Sequence, residues 1–103
     1  MRKIQKQTDD WIKKCGYGYF SPHECFVAMA EEVGELAREI NHVYGPKKKK
    51  ATEKNNNIAD ELGDLLFTTA CLANSLNIDL DKSFERLLKK LYTRDKDRYK
   101  KKK

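Results

Sequence analysis

Ile58-Ala59-Asp60-Glu61-Leu62-Gly63-Asp64-Leu65-Leu66-Phe67-Thr68-Thr69-Ala70-Cys71-Leu72-Ala73-Asn74-Ser75-Leu76 decides the fold. Set on a wheel at about 100° per residue, its apolar and small side chains go most of the way round, so the stretch reads as a helix enclosed on nearly all sides. One polar stripe of about 100° interrupts it, made of Asp60, Glu61, Asp64, Thr68 and Ser75. Ionised carboxylates on so enclosed a helix are costly unless they are paired or bound to metal.

A second acidic signature lies upstream, Glu31-Glu32-Val33-Gly34-Glu35. Residues three or four apart share a face of a helix, so Glu32 with Glu35, and Glu61 with Asp64, each make a ledge of oxygen atoms. Two facing ledges form a cage for a hard cation. The set offers no nitrogen or sulfur, which suits Mg²⁺, with Mn²⁺ as a substitute. A di-iron carboxylate site would want Glu-x-x-His, and here positions 38 and 64 are Arg and Asp.

Outward from these signatures the remaining elements are also helical. Ile4, Thr8, Trp11, Ile12 and Cys15 mark one face of a helix over residues 2–15. Ser21-Pro22-His23-Glu24 is a helix start with a capping box, and the helix it opens runs to Val43, where Gly45 is expected in a left-handed turn and Pro46 forbids continuation. Its apolar residues from Phe26 to Val43 fall in an arc of about 140°, with Glu32, Glu35 and Glu39 on one flank. Residues 45–57 lack periodicity and read as a loop, with Asn57 as N-cap of the next helix. Asn77-Ile78-Asp79 makes a turn and cap, and Phe84, Leu87, Leu88, Leu91 and Tyr92 give the face of a fourth helix. Lys90, Arg94 and Arg98 then recur every four residues as a basic row.

The expected fold is therefore all-α, four or five helices in a single domain over residues 1–99, followed by a basic tail at 100–103. One layer of four helices cannot surround the central one, so the bundle is expected to be completed by a second subunit, as a homodimer or a dimer of dimers.

The 103 residues carry a net charge of +6, but eight lysines sit in two runs, 47–50 and 100–103, and removing those eight from +6 leaves −2. The basic character belongs to a loop and a tail, which argues against specific nucleic-acid binding. Three cysteines without metal-ligand spacing fit neither a disulfide framework nor a zinc site and point to a reducing cytoplasm. No apolar run approaches the roughly 18 residues of a membrane span.

The pattern Glu-Glu-x-x-Glu, then 25 residues, then Glu-x-x-Asp resembles the signature of the MazG-like nucleoside triphosphate pyrophosphohydrolases. The phrases at 34–42, 72–76 and 93–98 look like the small single-domain bacterial members. The resemblance implies hydrolysis of a nucleoside triphosphate to monophosphate and pyrophosphate with Mg²⁺, in a helical dimer or tetramer. By motif position it implies Glu32, Glu35, Glu61 and Asp64 as metal ligands. Glu31 sits about 100° round the helix from Glu32 and is left the role of water activation or a surface contact. On physical grounds Lys54, Lys90 and Arg94 are candidates for phosphate contacts, and Trp11 for stacking on the base. A non-catalytic nucleotide sensor on the same fold is the alternative.

Each of these residues also has a plainer reading. A single Glu-x-x-Glu is usually a solvated face; two of them, one inside an apolar helix, are harder to explain that way. Trp11 can be a core anchor, His42 a partner to its helix dipole, and Cys25 and Cys71 small buried hydrophobes.

Overall fold

The structure is a computed structural model that describes residues 1–16, 18–46 and 57–94. Both lysine runs, Lys54, Arg98 and the 100–103 tail lie outside the described residues. Four α-helices and no strands are present among those described: α1 (Arg2–Cys15), α2 (Pro22–Tyr44), α3 (Ile58–Ser75) and α4 (Leu80–Thr93). None is long and apolar enough to cross a membrane.

The helix starts follow local chemistry. Ser21 accepts from the Glu24 backbone N–H while the Glu24 carboxylate accepts from the Ser21 N–H, and Pro22 fills the first helical position. Asn57 caps α3 by accepting from the Asp60 N–H at 2.7 Å. Asp79 caps α4, accepting from the backbone N–H groups of Asp81 and Lys82. These side chains satisfy donors that a helix start leaves unpaired. Asn77, in the turn before α4, adopts a φ of 56°, a left-handed conformation that asparagine tolerates.

At the end of α2 the sequence expectation needs correction. Gly45 is extended, with φ −88° and ψ 175°, rather than left-handed. Pro46 is the reason, since the residue before a proline is driven out of helical conformations towards extended ones. Glycine is required there by a close approach: a Cβ would lie 2.6 Å from the Asn41 carbonyl oxygen and against its side chain.

The packing runs through α3, which contacts both α2 and α1 and runs antiparallel to each, since Met29 meets Thr69 where Glu32 meets Glu61 and Asp64, and Gln5 meets Asn74 where Trp11 meets Phe67. Met29 on α2 meets Thr69 on α3, whose hydroxyl lies 3.3 Å from the thioether sulfur. Trp11 on α1 meets Phe67 on α3 edge to face, with ring centroids 5.8 Å apart. Thr8, Ile12, Cys25, Ala70 and Ala73 are buried in this small core.

A polar joint fastens the far end of α3. Asn74 donates to the Gln5 carbonyl and to the Tyr19 hydroxyl, at 2.9 and 3.0 Å, and accepts from the Gln5 amide at 2.9 Å. Gln5 also donates to the Ile78 carbonyl and accepts from the Leu80 N–H. Tyr19 donates to Asp9 at 2.6 Å; burial, with this hydrogen bond next, pushes the phenol up to about 12. One cluster thus ties α1, the segment before α2, the end of α3 and the start of α4.

The enclosure expected for α3 is not met within one chain. Leu62, Leu66 and Phe67 are 47%, 42% and 38% exposed. α4 leans on the rest through its first turn, where Asp81 receives the N-terminal amine at 3.0 Å and the Arg2 N–H at 2.7 Å. Beyond that turn Phe84, Leu87 and Leu91 remain exposed.

Two substitutions separate the cap from the joint. Ser21→Ala should cost about 1 kcal/mol through the lost cap. Asn74→Ala should cost on the order of 2 kcal/mol, because it removes three hydrogen bonds at once. Both should move the urea midpoint with the slope unchanged.

Candidate metal centre

Because α2 and α3 run antiparallel, their acidic signatures come to the same level of the helix pair. Glu32 from α2 and Glu61 and Asp64 from α3 each bring a carboxylate oxygen to within 4.8 Å of the others. Glu32 is half-buried, Glu61 is 3% exposed and Asp64 is exposed, so the cluster has a covered floor and an open side. Among the described residues no lysine or arginine pairs with any of the three; the ion pairs seen lie on α1 and the start of α4.

The electrostatic consequence is direct. Burial raises the Glu32 carboxyl above its ordinary value, and the charges of Asp64, Glu61, Glu35 and Glu31 add to the rise in that order. Glu61 is raised likewise, by burial first and then by Asp64, Glu35, Glu39 and Asp60. Both causes disfavour the ionised form. A bound divalent cation would reverse them, and an all-oxygen donor set suits a hard one.

Of the four candidate ligands, then, the structure gathers Glu32, Glu61 and Asp64, while Glu35 lies outside that group, exposed but near enough to act on both glutamates. Glu31 is exposed, and its charge acts on Glu32 less than those of Asp64, Glu61 and Glu35. Glu39 joins the neighbourhood without having been a candidate: it is 6% exposed and acts on Glu61. Its signal was present, since it lies seven residues from Glu32, two helical turns along the same face, but it falls outside the motif.

Along the same groove, towards the N-terminus of α2, lies an apolar cavity of about 270 Å³. Trp11, Phe20, Cys25, Phe67 and Cys71 line it, with Tyr19 and Thr68. Thr68 is one turn beyond Asp64, and Ala28, also in the wall, is one turn before Glu32, so cavity and carboxylates adjoin. Its two hydroxyls are already engaged, Tyr19 with Asp9 and Thr68 with the Leu65 carbonyl. Trp11 stands at this wall half-exposed instead of serving as a buried anchor. Lys90 is on α4 and Arg94 is its C-cap, neither being part of the carboxylate cluster or the cavity wall, and Lys54 lies outside the described residues.

The raised carboxyls fix a sign for pH dependence. A carboxyl raised in the folded state contributes stability that is full below its unfolded value and is lost as pH rises through its folded value. In a chelator, Glu61→Gln should therefore raise the melting temperature at pH 7.5 and change it little at pH 4. With a divalent cation in excess the order at pH 7.5 should reverse, because the variant binds the ion less well and gains less from it. Thermal melts of both proteins under the four conditions check this.

Comparison with known proteins agrees with the motif reading. A family model of the MazG nucleotide pyrophosphohydrolase domain matches residues 20–99. YpjD of Bacillus subtilis strain 168 is 50% identical over 99 residues, spanning 96% of this chain and 89% of that protein. A crystal structure of YpjD from the same species superposes with a TM-score of 0.81 at 46% identity, covering 91% of this chain and 94% of that one. The Bacillus-conserved MazG protein, a nucleotide pyrophosphohydrolase, superposes at 0.76 with 45% identity, over 93% of each chain. iMazG from Vibrio DAT 722 follows at 0.63 and 26%, covering 87% of this chain and 97% of that one. With the family model covering most of the chain and half the residues shared with a full-length relative, the protein belongs to the MazG nucleotide pyrophosphohydrolase family.

Proposed function

We propose that this chain hydrolyses nucleoside triphosphates to nucleoside monophosphate and pyrophosphate, using Mg²⁺, or Mn²⁺ in its place. The observation that carries the reading is the convergence of Glu32, Glu61 and Asp64 at one end of a groove whose other end is an aromatic-walled cavity. A triphosphate has a matching shape, with a charged chain at one end and a flat heterocycle at the other. When bound, the cation supplies Lewis acidity towards the polyphosphate oxygens and a lowered pKa for a coordinated water.

The chain's own residues divide the remaining work. Glu32, Glu61 and Asp64 hold the cation, with Glu35 beside them to complete the cage. Glu31 accepts the proton of the attacking water from its exposed position next to Glu32. The water's oxygen joins phosphorus, the bond between the α- and β-phosphoryl groups breaks, and pyrophosphate leaves. Trp11 and Phe67 take the base by stacking, in a cavity whose hydroxyls are already engaged with the protein. Lys90 and Arg94 neutralise the outer phosphates, with Lys54 as a further candidate. The three free thiols fit a reducing cytoplasm, and the exposed apolar faces fit a homodimer or homotetramer.

Pyrophosphate release from a panel of ribo- and deoxyribonucleoside triphosphates with Mg²⁺ tests the reading. Glu61→Gln should lower the rate by about 100-fold or more. Trp11→Ala should raise KM by about tenfold or more with kcat nearly unchanged, as expected for a contact made equally before and during reaction. A wild type that binds triphosphates but releases nothing from any of them would favour the sensor alternative.

A further inference from the structure

The groove between α2 and α3 repeats its geometry with different atoms. Glu32 on α2 and Asp64 on α3 bring carboxylate oxygens to within 4.8 Å of each other. Seven residues before Glu32 is Cys25, and seven residues after Asp64 is Cys71. Seven residues make two helical turns less about 20°, so each cysteine lies nearly on the face of its acidic counterpart. Because the helices run antiparallel, stepping back along α2 and forward along α3 moves in one direction, by about 10 Å. The two thiols therefore stand level with each other, one on each helix, as the two carboxylates do.

Other observations place both sulfurs in the same space. Cys25 and Cys71 line the apolar cavity at the end of the groove. Cys25 is 3% exposed and Cys71 half-buried, and neither is in a disulfide. Burial pushes the Cys71 thiol up, and the charge of Cys25 adds to the rise. The Cys25 thiol makes a weak contact, donating to the Phe20 carbonyl at 3.6 Å. Among the described residues the cavity wall offers no carboxylate, imidazole or amine, and its two hydroxyls are engaged elsewhere. Cys15 is exposed on α1 and is not part of that wall. One groove thus has oxygen donors alone at one end and a facing pair of sulfur donors at the other.

We propose that Cys25 and Cys71 form a two-coordinate site for a soft cation of the Cu⁺ and Hg²⁺ class. Thiolates select such ions, whereas a carboxylate cage selects hard ones. With Hg²⁺ the two S–H bonds break, two S–Hg bonds form and two protons pass to the buffer, with no change of oxidation state. The product carries no net charge, which suits walls where an isolated charge would be costly. Burial keeps the Cys71 thiol protonated in the free protein, but a coordinating thiol is deprotonated by the ion itself. An ion seated there fills the space assigned above to the base. Soft ion and nucleotide then exclude each other, while Mg²⁺ and the soft ion do not; this consequence alone rests on the pyrophosphohydrolase reading.

Thiol titration tests the site without any turnover. In a Cys15→Ser background, one equivalent of Hg²⁺ should consume both remaining thiols, and native mass spectrometry should show one ion per chain with two protons lost. The complex should withstand about 0.1 mM of a monothiol, below the millimolar effective concentration of two tethered donors, with Mg²⁺ in excess. Cys25→Ala and Cys71→Ala in that background, with wild-type helical circular dichroism, should each give up the ion under the same conditions. Two ions per chain, or one ion with a thiol still titratable, would overturn the proposal. In pyrophosphate release, one equivalent of Hg²⁺ should raise KM by about tenfold or more with kcat nearly unchanged. A protein inactive on every triphosphate would remove the function reading instead, and the thiol titration would still decide the site.

Discussion

Like charges crowd into one place, and the rest of the molecule is arranged to hold them there. Glu32, Glu61 and Asp64 approach within 4.8 Å, with Glu35, Glu39 and Asp60 close enough to raise the neighbouring carboxyls further. Left to themselves, α2 and α3 would part at this end. What keeps them together lies elsewhere: the small packed core around Ala70 and Ala73, the capped helix starts, and the joint of Gln5, Tyr19 and Asn74 at the opposite end of α3. The same separation explains how a chain of 103 residues can carry a repulsive centre, since such a centre costs stability locally and a divalent cation offsets it.

The arrangement also links binding to chemistry. Antiparallel packing of α2 and α3 sets the cavity and the carboxylates along one groove, so that under the proposed function a nucleotide held by its base would have its phosphates over the centre. The cavity walls come from α1, the segment before α2, and both long helices. A change in the polar joint therefore reaches the cavity wall through Tyr19.

Much of this was legible in the sequence because its causes are local. Ser21-Pro22-His23-Glu24, Asn57 and Asp79 announce helix starts through hydrogen bonds a few residues long, and these fall where the structure has them. The wheel of α3 put Asp60, Glu61 and Asp64 in one polar stripe on an enclosed helix; the structure hides Glu61 and leaves Asp60 and Asp64 exposed. What could not be read was the rotation of one helix against its neighbour. On a wheel Glu39 lies about 20° and Glu35 about 60° from Glu32, but the motif spacing pointed to Glu35; in the structure Glu39 is covered and Glu35 is left outside the cluster. Gly45 was misjudged for a nearer reason, the proline that follows it. The enclosure inferred for α3 is not displayed by a single chain, in which Leu62, Leu66 and Phe67 stay exposed.

The central claim is that carboxylates from two helices hold a cation whose presence makes pyrophosphate the leaving group. Phosphorus NMR of a triphosphate incubated with chelator-stripped protein, while Mg²⁺ is titrated in, addresses it most directly. No turnover is expected before the cation is added, and afterwards monophosphate and pyrophosphate in equal amounts. Turnover that is indifferent to the cation, or orthophosphate and diphosphate nucleotide as the products, would contradict it.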